Sequence, residues 1–236
     1  MSETFKSQIK DLVDDLKAVF THVGLGGEAA EYKLLTQSFL YKFLNDKFLY
    51  QAKAIDASNS YEKLIDMSEE DYSWLLKFIG TSTAWLKPDQ LIETLHRQQN
   101  EATFYESFEN TLNQIAIDNN DIFSVHTDGD TAIRLFDERL ITDNISDSSK
   151  RNEVAKAIIN LLTRVKFDET IFSQGFDFFS TLFEYMIKDY NKDGGGKYAE
   201  YYTPHSVAKI IADILVGNDQ PSNVRIYDPS AGSGTL

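Results

Sequence analysis

The chain has 236 residues, 42% of them hydrophobic, a formal net charge of −14 and no cysteine. That length allows one large domain or two small ones, and the lack of cysteine excludes disulfides and thiolate metal sites and fits a cytoplasmic location. No run of about 18 apolar residues occurs, so no membrane span is expected, and the N-terminus lacks a signal-peptide core.

Acidity also bears on partners. Free DNA binding draws on neutralised phosphates and released counterions, and no Lys/Arg-rich run is present. If the protein acts on DNA, another component supplies much of the grip; otherwise the charge serves solubility. The four histidines, His22, His96, His126 and His205, are far apart and form no His-x-x-x-His pair, so no metal site is expected.

In chain order, "IKDLVDDLKAVF" sets Ile9, Leu12, Val13, Leu16 and Phe20 on one stripe of an amphipathic helix. "EYKLLTQSFLYKFLNDKFL" is apolar around much of its circumference through Tyr32, Leu35, Phe39, Leu40, Phe43 and Leu44, which predicts a central core helix. "MSEEDYSWLLKFIG" opens with Ser68 followed three residues later by Asp71, a capping-box-like start, and closes near Gly80. "KPDQLIETLHRQ" has Pro88 where a first helical turn tolerates it. "YESFENTLNQIA" continues the pattern, as does "SKRNEVAKAIINLLTRV" with Val154, Ile158, Leu161, Leu162 and Val165 on one side. Between them, "DIFSVHTD" fits a short extended piece or a loop equally well. "FDFFSTLFEYMIKDY" is a further aromatic-rich helix. Aromatic stripes at helical spacing read as core throughout. Residues 1–170 are therefore expected to form one all-helical domain.

Residues 171–236 differ in character. "NKDGGGKYAEYYTP" contains Gly194 to Gly196, a run that will not hold a helix and suits a linker. In "TPHSVAKIIADILVG", Thr203 can cap, Pro204 suits the first helical position, and Val207, Ile210, Ile211, Ile214 and Leu215 form one face. Gly217 can terminate that helix. "VRIYD" is then a short β-branched strand running into "PSAGSG". A strand, an acidic residue and Gly-x-Gly form the nucleoside-binding turn of doubly wound folds. Only a Gly-x-Gly core is present, which disfavours a dinucleotide, and Pro229 stiffens the turn after Asp228.

These residues carry a resemblance. "DPSAGSG" resembles motif I of S-adenosylmethionine-dependent DNA adenine methyltransferases, whose usual form is Asp-Pro-x-x-Gly-x-Gly. "AEYYTP" resembles their motif X, a Phe/Tyr-Thr-Pro element about 25 residues earlier, the separation of Thr203 from Asp228. "EAAEYKLLTQSFLYKFLNDKF" and "LFEYMIKDYNKDGGGKYAEYYTP" are similar to segments of the modification subunit of type I restriction-modification systems. The resemblance runs from end to end of the chain; motifs X and I, in this order and spacing, are its specific part.

The resemblance implies a mainly α chain: an N-terminal helical domain serving assembly and DNA closure, then the start of a Rossmann-like α/β methyltransferase domain. It implies S-adenosylmethionine as cofactor, with Gly232 and Gly234 giving backbone contacts, Ser230 and Ser233 in the same loop, and Asp228 facing the ammonium side. Glu200, Tyr201, Tyr202, Thr203 and Pro204 form the other wall, where Thr203 and the following helix N-terminus meet the carboxylate. Without the resemblance, Thr203 reads as a simple cap and the two tyrosines as core. Two positions depart from the family pattern: Ala199 stands where glycine is usual, and His205 where arginine is common, which removes a fixed cation. The implied partners are a DNA-specificity subunit, a restriction subunit, a second modification subunit and double-stranded DNA within the complex.

Adenine N6 methylation also needs an Asn/Asp-Pro-Pro-Tyr/Phe element that grips the exocyclic amine of a flipped base. The sequence holds no Pro-Pro pair, so no catalytic residue is assigned, and the chain is expected to be an inactive N-terminal fragment of such an enzyme. The competing readings are a piece of a stand-alone fused restriction-methylation enzyme and a non-catalytic helical interaction module.

Overall fold

A computed structural model describes residues 3–81, 83–123, 125–126, 132–167, 171–172 and 205–217. The chain divides into two compact units, Met1–Phe176 and Asp177–Leu236. The described residues are mainly helical, as the periodicity predicts.

In the first unit, α1 (Glu3–His22) and α2 (Ala29–Ile55) are followed by α3 (Tyr61–Ile65) and α4 (Glu69–Ile79). A 3-10 turn at Pro88–Gln90 leads into α5 (Ile92–Gln98), then α6 (Phe104–Asp118) and α7 (Asn120–Phe123). Strands β1 (Val125–His126) and β2 (Ala132–Ile133) pair antiparallel, with Val125 opposite Ile133. Thus "DIFSVHTD" is part helical turn and part strand. Helices α8 (Leu140–Asn144) and α9 (Ser148–Arg164) complete the described elements of this unit.

The α1 stripe is buried as its spacing demands: Ile9, Leu12, Val13, Leu16 and Phe20 are all inside. Helix α2 is the central one, and it packs against α1, α4, α8 and α9. Leu34, Leu35, Phe39, Tyr41, Leu44 and Phe48 are buried, while Tyr32 is exposed near the helix start. Helix α9 packs against α1, α5, α6 and α8 through Val154, Ile158, Leu161 and Leu162. It stops at Arg164, so Val165 lies beyond the helix rather than on its face.

Local signals act where expected. The Asp71 amide donates to Ser68 Oγ at 3.2 Å, and the Ser68 hydroxyl donates to Asp71 Oδ2 at 2.8 Å, closing the N-terminus of α4. Gly80 ends α4 with φ +63°, a left-handed conformation that a side chain would strain. The Pro88 helix is shorter than its sequence suggests. Leu91, extended at φ −74° and ψ 143°, separates the 3-10 turn from α5.

One polar hub lies inside α2. Lys42 Nζ approaches Asp46 Oδ1 at 3.0 Å and Oδ2 at 2.8 Å, and Asn45 Nδ2 donates to Asp46 Oδ1 at 2.8 Å. The Phe167 amide donates to Asp46 Oδ2 at 2.8 Å, and the Ile92 amide to Asn45 Oδ1 at 3.0 Å. The hub therefore ties α2 to the start of α5 and to the segment after α9. Phe172 continues that attachment, its ring centroid 5.6 Å from Phe43 and 5.3 Å from Tyr50.

Tyr41 and Tyr72 are buried phenols that donate to the carbonyls of Gln90 and Leu86. Burial pushes both well above the ordinary tyrosine range, with Asp89 adding a smaller push. The unfolded chain would release these protons above about pH 10 while the folded chain retains them. Stability present below pH ~10 is therefore lost as pH rises further. Alkaline titration is expected to show these phenolates by ultraviolet absorbance only as helical circular dichroism collapses. Phenolate signal from both residues in a fully helical protein would contradict this. Tyr41→Phe should cost about 1 kcal/mol at neutral pH by orphaning its carbonyl partner, with the deficit shrinking above pH ~10.

The described part of the second unit is α10 (His205–Val216) and Gly217. Its amphipathic pattern forms a helix, and Gly217 stops it at φ +60° with its amide donating to Asp213 O at 3.0 Å. Ala208 is buried, whereas Val207, Ile210, Ile214 and Leu215 are exposed. The expected apolar face is thus present but largely uncovered.

Candidate cofactor site

The residues expected to hold S-adenosylmethionine are Glu200, Tyr201, Tyr202, Thr203 and Pro204 on one side and Asp228, Ser230, Gly232, Ser233 and Gly234 on the other. All ten lie outside the described residues, as do the expected helix at 176–190, the Gly194–Gly196 linker and the 224–228 strand. Only the element next to motif X is described. Helix α10 begins at His205, directly after Thr203 and Pro204. The first four amides of a helix lack intrahelical acceptors and carry the positive end of its dipole. That is the polarity a carboxylate needs.

His205 is the first residue of α10. It places a titratable group where a permanent cation is common in the resembled family. Within the helix, Lys209 and Asp213 approach at 3.8 Å across one turn, on the solvent side.

The helical unit offers a different kind of concavity. A groove of about 590 Å³ is lined by Asp15, His96, Asn160 and Arg164 among others. Its polar groups serve one another. Asn160 Oδ1 meets His96 Nε2 at 3.0 Å, its amide donates to Gln99 Oε1 at 2.7 Å, and Arg164 faces Asp15 at 3.8 Å. Elsewhere between α1 and α9, His22 approaches Glu153 at 3.9 Å. Among the described residues no group of three or more His, Asp or Glu is arranged to hold a metal ion. No described helix is long and apolar enough to cross a membrane.

Sequence reasoning missed the polar residues that organise the helical unit. Lys42, Asn45 and Asp46 sit in a stretch read only for its apolar density. Asn119 is a second case: its Oδ1 accepts from the Trp85 amide at 2.6 Å and its Nδ2 donates to Trp85 O at 2.8 Å. That pairing imitates a strand contact and fixes the loop after α4. Glu109 is a third, taking both the amide and the hydroxyl of Thr142 to join α6 to α8. Each is buried. For Lys42, Asn45 and Asp46 a polar residue inside an apolar helical run was the available signal, whereas Asn119, in a polar run at the end of α6, carried none.

The comparisons with known proteins fall on both units. Residues 174–236 match the family described as N-6 DNA Methylase, a segment that includes both motifs. Across the whole chain there is similarity to the methylase subunit of the type I restriction enzyme MpnII of Mycoplasma pneumoniae. That relative is 24% identical over 242 aligned positions, covering 98% of this chain and 42% of the relative. The chain thus spans less than half the length of that protein. No solved structure matches it. The two matches bear out the resemblance to a type I modification subunit that the motifs carry.

Proposed function

We infer that the chain is part of a DNA adenine N6-methyltransferase subunit of a type I restriction-modification system. It uses S-adenosylmethionine and works in the cytoplasm with a separate DNA-specificity subunit, a restriction subunit and a second modification subunit. The observation that carries this reading is the N-6 DNA methylase match over 174–236, which includes motif X and motif I in their usual order. The net charge of −14 agrees with DNA recognition delegated to a partner. Residues 1–176 supply the helical unit that assembles with those partners and closes on the duplex.

The cofactor supplies an electrophilic methyl group on a sulfonium. The residues of this chain would bind and orient it. Asp228 would balance the α-ammonium, the amides at the start of α10 and the Thr203 hydroxyl would take the carboxylate, and Gly232 and Gly234 would admit the ligand close to the backbone. Tyr201 or Tyr202 would pack beside it. Activation of the adenine amine needs an Asn/Asp-Pro-Pro-Tyr/Phe element, which these 236 residues do not contain. Residues 1–236 by themselves should transfer no methyl group.

Product analysis tests the reading. The whole modification enzyme, assembled with its specificity subunit, is incubated with duplex DNA and cofactor labelled in the methyl group. The label is expected in N6-methyladenine, and only when the specificity subunit is present. Label in a cytosine product, or in protein or small molecules alone, would sink the assignment.

A further inference from the structure

We propose that the face built by α4 and the C-terminal end of α2 is a docking site for a basic, amphipathic segment of a partner protein. This inference is independent of the cofactor reading.

Helix α4 has two faces. Tyr72, Leu75 and Ile79 point into the core, while Trp74 and Phe78 are 54% and 68% exposed. The two exposed rings stack on each other, with centroids 6.1 Å apart and planes 28° apart. Lys77 lies over the Trp74 face at 5.1 Å. Two large adjacent aromatics left in water are unusual on a protein surface, and such side chains are enriched as anchors of interfaces. Their stacking holds them in place before a partner arrives, which lowers the ordering cost of binding.

The stack borders a groove of about 820 Å³. Leu75 and Met67 contribute to its lining, and Ile55, 42% exposed at the end of α2, and Phe78 add exposed apolar surface. The groove can therefore receive apolar side chains as well as border an aromatic surface.

Charge selects the occupant. Asp56, Asp66 and Asp71 line the groove with Lys63 as their one cation. Lys63 is already engaged, at 2.9 Å from Asp56 Oδ2 and 2.6 Å from Ser58 Oγ. Glu69 and Glu70 add two more carboxylates to the first turn of α4. From Ile55 to Ile79 the sequence has six carboxylates, Asp56, Glu62, Asp66, Glu69, Glu70 and Asp71, against Lys63 and Lys77. DNA is repelled by such an excess of negative charge, and a second copy would bring the same carboxylates into contact with one another. A Lys/Arg-rich helix with an apolar stripe satisfies both the bordering aromatic pair and the charge.

The test uses Trp74 as its own reporter. In a Trp85→Phe background it is the one remaining indole. The probes are a Lys/Leu amphipathic helical peptide, its Glu/Leu counterpart and a short DNA duplex. The Lys/Leu peptide is expected to shift Trp74 emission to the blue in a saturable way. Phe78→Ala, and separately Asp66→Asn with Glu70→Gln, should each weaken that response about tenfold or more. All three substitutions are at exposed positions, and circular dichroism checks that the fold is kept. The proposal is overturned by any of four results: no response to the Lys/Leu peptide; an equal response to the Glu/Leu peptide or to DNA; a response untouched by the substitutions; or a dimer in sedimentation that Phe78→Ala dissolves.

Discussion

Replacing Asp46 by alanine is expected to destabilise the helical unit by about 3 to 5 kcal/mol, as for other buried pairs broken from one side. Lys42 and Asp46 are both buried, and burial pushes the Lys42 ammonium below its usual range despite the pull of Asp46. Removing the carboxylate strips Lys42 of its counter-charge and leaves the Phe167 amide without its acceptor. It also frees the Asn45 amide, whose carbonyl oxygen holds the start of α5. The pair itself contributes less than its loss costs, because both charges were desolvated to form it. Replacing Lys42 with Met and Asp46 with Leu together should therefore cost clearly less than Asp46→Ala alone. Urea unfolding followed by circular dichroism measures both. Equal losses for the single and the double replacement would show that Phe167 and Asn45, not the charge, dominate.

A chain whose stability is some 5 to 15 kcal/mol in total would keep little of it after that change. The effect should appear first in the segment after α9, because Phe167 and Phe172 are held there by Asp46 and by the α2 aromatics. Amide exchange at Phe167 is the local readout.

The helical architecture was legible because apolar spacing dominates most of the chain. Ile9 to Phe20 on α1 and Val154 to Leu162 on α9 are buried as the 3.6-residue period requires. The Ser68 cap and the Gly80 and Gly217 stops were legible because each rests on local chemistry. What escaped depends on tertiary partners. Nothing local says that Asp46 accepts from Phe167, 121 residues away, or that Asn119 brackets Trp85. Reading aromatic stripes as core failed on α4. There the i, i+3, i+7 face of Tyr72, Leu75 and Ile79 is buried, and the i, i+4 pair Trp74 and Phe78 lies on the other side. The wheel of that one helix held the signal. The ten residues proposed to hold the cofactor were legible only as motifs in the right order and spacing. The family match covers that same stretch.

In the proposed function Asp228 is the charge partner of the cofactor ammonium. Breaking one side of a hydrogen-bonded, desolvated charge pair costs roughly 2 to 5 kcal/mol of binding, about 30-fold or more in affinity. Asp228→Asn is close to isosteric and removes the charge. The decisive measurement is a calorimetric titration of S-adenosylmethionine into the whole modification enzyme, native and Asp228→Asn. A saturable isotherm is expected for the native enzyme, weakened about 30-fold or more by the substitution with the fold unchanged. Undiminished affinity in Asp228→Asn, or no binding by the native enzyme, would contradict it.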